Sequence, residues 1–218
     1  MKTVNIILYE GVAELDFCGP FEALASCRRM ANGKWSDKPA FHVETVAEHR
    51  ATIQCASGLT VLPDKSLKQA RESDIILVPG GPGARKETLS PHLLEYLQTA
   101  RDTAELFASV GTGAFILGRA MLLKGRRATT HSTQLQTFAN LFAHTSVVQG
   151  PRVVSDGLDL MSSGGMTAGL DLALAMILRY EGDDTARMAA KRLEWNGQLA
   201  SLVDAARPPA RPQPAGRV

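Results

Sequence analysis

The residues of this chain best suited to chemistry sit in glycine-rich turns. Gly80-Gly81-Pro82-Gly83 exposes bare backbone, whose N–H groups can face an anion or a developing oxyanion. The same run also suits a plain tight turn into the next helix, and both readings stand. Gly111, Gly113 and Gly118 lack the G-x-G-x-x-G spacing of a dinucleotide fingerprint. The step of roughly twenty residues to a ribose-binding acid lands on Ala128 to Ser132 instead. No G-x-x-x-x-G-K-[ST] occurs, which argues against nucleoside triphosphates. Cys18, Cys27 and Cys55 are odd in number and have neither CxxC spacing nor clustered histidines. They read as reduced thiols, not as a disulfide framework or a zinc site.

Those turns must be placed by the elements around them. Thr3 to Tyr9 is apolar on both faces, as a central strand covered on two sides requires. Similar runs recur at Phe41 to Val46, Ile75 to Val78, Leu106 to Val110, Arg127 to Thr130, Arg152 to Val154 and Leu158 to Met161. Helical spacing marks Phe21 to Met30, Pro91 to Thr103, Thr112 to Leu122, Thr133 to Phe142, Ala168 to Tyr180 and Thr185 to Trp195. Strands alternating with such helices predict an α/β fold with a mostly parallel sheet. Ile53 to Val61, with Gly58 inside it, predicts a small hairpin. Ligands of such sheets bind beyond the carboxyl ends of the strands, where the strand order reverses. The turns after the first strand, after Val78 and after Val110 are therefore the expected site.

Composition limits the partners. The chain has 218 residues, 44% hydrophobic and 21% charged, enough for one domain with a sizeable core. Its formal charge is +2, but Arg207, Arg211 and Arg217 leave residues 1–206 near neutral. Without a basic stripe, nucleic acid is not the expected ligand, and a small molecule is. The uncharged apolar run from Leu106 to Gly118 is well short of the roughly 18 residues a membrane span needs. The N-terminus resembles neither a signal nor a transit peptide, so a cytoplasmic location is the default expectation. Residues 1–200 read as a single domain. Residues 201–218, rich in Pro and Arg, read as a disordered tail.

Five segments together resemble the ThiJ/PfpI superfamily: Leu15-Asp16-Phe17-Cys18-Gly19-Pro20-Phe21-Glu22, Val78-Pro79-Gly80-Gly81, Ser109-Val110-Gly111-Thr112-Gly113-Ala114, Ala128-Thr129-Thr130-His131 and Ser163-Gly164-Gly165-Met166-Thr167-Ala168-Gly169-Leu170-Asp171. The resemblance covers about residues 3–195. Asp16 in the first loop, the Ala-Thr-Thr-His strand and the Ser-Gly-Gly-x-Thr-Ala-Gly entry to a late helix look most like the isonitrile hydratase branch. The resemblance implies a flavodoxin-like three-layer α/β/α sandwich, a homodimer, and a cysteine nucleophile at the turn after the fifth strand. It further implies attack of that thiol on an isonitrile carbon and hydrolysis of the thioimidate to an N-substituted formamide, with neither metal nor organic cofactor. The chain departs from the pattern at the nucleophile, where the family cysteine is replaced by Gly111.

Glycine has no side chain, so covalent catalysis from this position is impossible. The resemblance leaves Asp16 as an acid/base carboxyl, and the N–H groups of Gly81 and Thr112 as donors to a common point. Gly111 is either a substitution that traps a ligand or tests a mechanism, or a natural loss of the chemistry. The first reading is thus an isonitrile hydratase-like protein, inactive or severely impaired. The alternative is a pseudoenzyme or small-molecule sensor that keeps the pocket. Ser109 and Thr112 flank the turn but need a base to become nucleophiles. Cys18 either lines the pocket or is a small buried hydrophobe. His131 is either a pocket-facing partner of the turn or a strand-end residue bonded to backbone. Glu22 and Asp171 are either functional or complements to helix starts. Trp35, in the polar stretch Asn32 to Lys38, is expected in an exposed loop or a dimer contact. Trp195 is expected at an interface or at the core edge.

Overall fold

The apolar runs form strands wherever both of their faces can be covered. A computed structural model describes residues 1–31, 33–70, 72–86 and 90–207. Its main sheet contains β1 (Lys2–Ile7), β2 (Phe41–Ala47), β3 (Lys65–Ser66), β4 (Ile75–Val78), β5 (Leu106–Val110), β6 (Val153–Ser155) and β7 (Leu160–Ser163). The spatial order is β6-β7-β5-β4-β1-β2-β3. Every neighbouring pair is parallel except β6 and β7. In register, Ile6 lies beside Leu77, Val78 beside Ser109, and Val110 beside Ser163. β4 and β5 span the residues expected from sequence, and all their residues are buried.

Helices cover both faces of the sheet. On one side, α1 (Glu14–Ala25) packs on α5 (Ala168–Arg192) over Val4, Ile6, Leu77, Ala108 and Val110. On the other side lie α2 (Pro91–Thr99), α3 (Gly113–Arg119) and α4 (Leu135–Leu141). Here Phe115 and Phe138 are buried beside Ile7, Ile76 and Phe107. Phe115, Phe138 and Phe142 stack with centroids 5.1–5.9 Å apart. The protein is therefore a flavodoxin-like three-layer α/β/α sandwich with a mostly parallel sheet. Among the described residues no helix is long and apolar enough to cross a membrane.

Several elements differ from expectation. α1 begins at Glu14, not at Phe21, and runs through Pro20. A proline inside a helix costs roughly 3 kcal/mol, and the buried Phe17, Pro20, Ala23 and Leu24 offset it by packing on the sheet side. The late pattern forms one helical segment, broken at Gly182 (φ 83°, ψ 179°), between the two helices expected from sequence. Arg127–Ala128 pairs with Ser146–Val147 outside the main sheet. The stretch around Trp35 is no loop: Lys34–Pro39 pairs antiparallel with Arg28–Ala31, and Trp35 packs half-buried on the core. The expected hairpin is present as Ile53–Gln54 with Thr60–Val61.

The packed chain also runs past residue 200. Leu199–Ala206 is helical, and Leu202, Ala205 and Ala206 are buried. Arg179 secures this segment by donating to the carbonyls of Ala205 and Ala206 at 2.9 and 2.8 Å. It also reaches the Leu158 carbonyl and Ser155 Oγ. Disorder expected from Ser201 is therefore corrected up to Ala206. The rest of that expectation, Pro208 to Val218, lies outside the described residues. Arg179→Ala should leave the Ala206 carbonyl without a donor among the described residues, while Ser155 Oγ still donates to the Ala205 carbonyl, and should destabilise the protein by about 1–3 kcal/mol. Thermal unfolding should show a drop of several degrees, whereas Arg207→Ala, which removes only the exposed pair with Asp183, should change little.

Candidate active site

The strand order reverses between β1 and β4, and the turns that follow β1, β4 and β5 meet at that point. Gly111 closes β5 with φ 51°, a left-handed conformation that costs a residue with a Cβ roughly 1–2 kcal/mol. Its N–H donates to the carbonyls of Ser163 and Gly164, at 3.1 and 3.2 Å. Its own carbonyl accepts the Thr130 hydroxyl at 2.8 Å. A Cβ at position 111 would lie 3.0 Å from Asp16 Oδ2 and 3.3 Å from Gly165 Cα. The elbow is thus enclosed by α1 on one side and by the entry to α5 on the other.

Asp16 belongs to the first turn of α1, not to a loop, and is only 3% exposed. Its Oδ2 accepts the Gly80 N–H at 3.0 Å, while Oδ1 is buried with no hydrogen-bond partner among the described residues. Burial raises the carboxyl to a pKa of about 6, against the opposing pull of the Gly80 N–H and the His131 charge. Gly80 permits this contact because a Cβ there would sit 2.6 Å from Asp16 Oδ2 and 2.7 Å from the Thr112 nitrogen.

The two expected oxyanion donors are not equivalent. Gly81 N–H is occupied by Thr112 Oγ1 at 2.8 Å, and that hydroxyl lies 3.1 Å from the Gly81 carbonyl. The Thr112 N–H has no acceptor among the described residues. Thr112 Oγ1 therefore ties the turn after β4 to the elbow and is not presented as a nucleophile. Ser109 Oγ, one residue before the end of β5, is buried with no hydrogen-bond partner among the described residues.

His131 is bonded to backbone and lies beside the elbow. Its Nδ1 accepts the Thr133 N–H at 3.3 Å, capping the short turn that follows. Its ring also lies against Gly165, next to the elbow. Cys18 and Glu22 do not join the site. Cys18 is exposed on the Glu14 side of α1, and burial together with the Glu14 charge raises its thiol pKa. Glu22 is exposed in the body of α1, not at a helix start. Asp171 is structural: it accepts Arg152 Nε at 2.8 Å and the Trp195 indole N–H at 3.1 Å. Trp195 is accordingly half-buried at the core edge.

Three contributors had no assigned role in the sequence reading. Tyr9 donates its hydroxyl to the Pro79 carbonyl at 2.6 Å, and burial and the nearby Asp16 charge push its phenol well above the usual value. Thr130 fixes the elbow carbonyl, and Gly165 lets His131 approach. Only the quoted motifs pointed to Thr130 and Gly165; nothing in sequence distinguished Tyr9. Across the Gly80–Gly83 turn, on the β2 side, lies a crevice of about 320 Å³ whose lining includes Leu8, Tyr9, Ala47, Ile53, Gly83 and Leu93. No group of three or more His, Cys, Asp or Glu placed to hold a metal occurs among the described residues.

The Asp16 environment makes stability pH-dependent. Its folded pKa lies above the unfolded value of 3.8, so the folded state binds the extra proton between about pH 4 and 6. The stability this group contributes is full below about pH 4 and is lost as pH rises through about 6. Chemical denaturation across pH 4–7 should show this decline in the wild type, and Asp16→Asn should remove that part of the slope.

The DJ-1/PfpI family pattern matches residues 2–179. The chain is 32% identical over 192 residues to an isonitrile hydratase of Pseudomonas putida, covering 88% of this chain and 78% of that protein. It is 28% identical over 180 residues to an HTH-type transcriptional regulator of Pseudomonas aeruginosa, covering 83% of this chain but 51% of the regulator. Among solved structures, a ThiJ/PfpI family protein from Pseudomonas syringae superposes with a TM-score of 0.78 at 25% identity, over 90% of this chain and 76% of that one. The chain belongs to the DJ-1/PfpI family.

Proposed function

We propose that this protein is an isonitrile hydratase-type member of its family, in which the covalent thioimidate route is closed at Gly111 while the pocket for a small electrophile is retained. One observation carries the reading: Asp16 Oδ2 stands 3.0 Å from the point a Cβ of residue 111 would occupy. An acid is thus held where it could serve a reacting group on that residue, and only the nucleophile is missing. The elbow does not depend on a side chain there, since main-chain bonds to Ser163 and Gly164 and the Thr130 hydroxyl hold it. The Thr112 N–H is the remaining oxyanion donor in this reading, and Asp16 and His131 are the titratable groups. A second reading, a non-catalytic sensor of a small molecule, is supported by the similarity to a transcriptional regulator over 83% of this chain.

We also propose a cytoplasmic homodimer. Leu15 and Met166 are 40% and 50% exposed, and Leu15 and Leu170 both lie against Gly19. A second copy of this chain would remove that apolar surface from water. Light scattering should give twice the 23.4 kDa chain mass at micromolar concentration, and a monomer mass throughout that range would contradict the dimer.

Gly111→Cys, made in a Cys18→Ser background to remove the exposed thiol, should introduce an alkylatable thiol and covalent isonitrile hydration. The same substitution should lower Tm by several degrees, because a side chain at φ 51° costs about 1–2 kcal/mol. A thiol that reacts with iodoacetamide yet converts no isonitrile would leave the sensor reading.

A further inference from the structure

Asp16 retains an unused hydrogen-bonding position. Gly80 N–H is accepted by Oδ2, which therefore acts as the carbonyl-like oxygen of the protonated acid. The proton then falls on Oδ1, which is fully buried and faces no acceptor among the described residues. The charged and titratable neighbours do not supply one. The Tyr9 hydroxyl is spent on the Pro79 carbonyl, and His131 Nδ1 accepts the Thr133 N–H. A buried acid of this kind is completed by a ligand that accepts a hydrogen bond and donates none. Because Asp16 is only 3% exposed, the ligand must also be slender at its reacting end. The linear isonitrile group, with its lone pair on the terminal carbon, meets both requirements.

We propose that Asp16 protonates the terminal carbon of an isonitrile directly, so that this chain hydrates isonitriles by acid catalysis without a covalent enzyme intermediate. The proposal rests on the hydratase-type reading above. The carbon lone pair takes the Asp16 proton to form a C–H bond, leaving a nitrilium ion beside the carboxylate. Water adds to the same carbon through its oxygen, and the proton it releases returns to Asp16. The resulting formimidic acid shifts its remaining O–H proton to nitrogen and leaves as the N-substituted formamide. The sum is one isonitrile plus one water, with no oxidant or reductant. In this route water makes the bond to carbon that sulfur makes in the thiol route, so the absence of a side chain at Gly111 does not stop it.

The test incubates the wild-type protein with cyclohexyl isonitrile and measures N-cyclohexylformamide by chromatography. The wild type should exceed the buffer rate by about a hundredfold or more, the usual scale of a positioned general acid. The rate should survive alkylation of Cys18 with iodoacetamide and should fall in deuterium oxide, since transfer of the proton to carbon is the slow step. Asp16→Asn should abolish it at a melting temperature showing the variant is folded, and Asp16→Glu, which keeps the acid, should retain part of it. No formamide from the wild type, together with formamide from Gly111→Cys, would overturn the acid route and leave the hydratase-type reading intact. No formamide from either would overturn both. An undiminished rate in folded Asp16→Asn would remove Asp16 from the reaction.

Discussion

A buried carboxyl held against a main-chain amide organises the carboxyl ends of these strands. Asp16 takes the Gly80 N–H at 3.0 Å from a position almost without solvent. Removing a carboxyl from water is costly unless it is neutralised or well paired. Here one oxygen is paired, the other has no partner among the described residues, and burial raises the pKa to about 6. The contact also fixes chain identity around it. Gly80 must lack a Cβ, and Asp16 must lie early enough in α1 to reach across the turn after β4.

The neighbouring turns are linked to that contact in sequence. Thr112 Oγ1 joins the elbow to Gly81, Gly111 N–H reaches Ser163 and Gly164, and Thr130 returns to the Gly111 carbonyl. Every link at residue 111 uses its backbone. The elbow therefore keeps its shape without a side chain at residue 111, because the main chain carries the geometry. The glycine also relieves the strain that a side chain would meet at φ 51°.

The far wall of the site depends on a second polar contact. Arg152 donates twice to Asp171 and once to the Thr167 hydroxyl, while its carbonyl accepts the Gly164 N–H at 3.0 Å. The nearly buried Asp171 carboxylate also takes the Trp195 indole. One ion pair therefore holds the start of α5, the end of its second half and the Gly164–Gly165 turn in register. Only the carboxylate of this pair is buried, since the Arg152 side chain is 57% exposed, so removing Arg152 would leave Asp171 with the Trp195 indole N–H as its remaining donor. The His131 ring fits against Gly165 only because that turn is held there.

The amino-acid sequence by itself determined the layer architecture, the strands β4 and β5, and the turns that form the site. Those features follow from local quantities: runs buried on both faces, helical spacing, and glycines at strand ends. It also determined, through Gly111, that no thiol can act at the elbow. Tertiary structure alone decided what the remaining groups do. Asp16 and Gly80 are 64 residues apart, and only the β1–β4–β5 order brings the start of α1 and the turn after β4 together. The same packing turned Cys18 toward solvent, occupied Gly81 N–H with a hydroxyl, and brought Tyr9 to the site. Spacing along a chain specifies which face of an element a residue occupies. Hydrogen-bond partners, burial and proton affinity depend on atoms contributed by distant segments, and these exist as an environment only once the layers have packed.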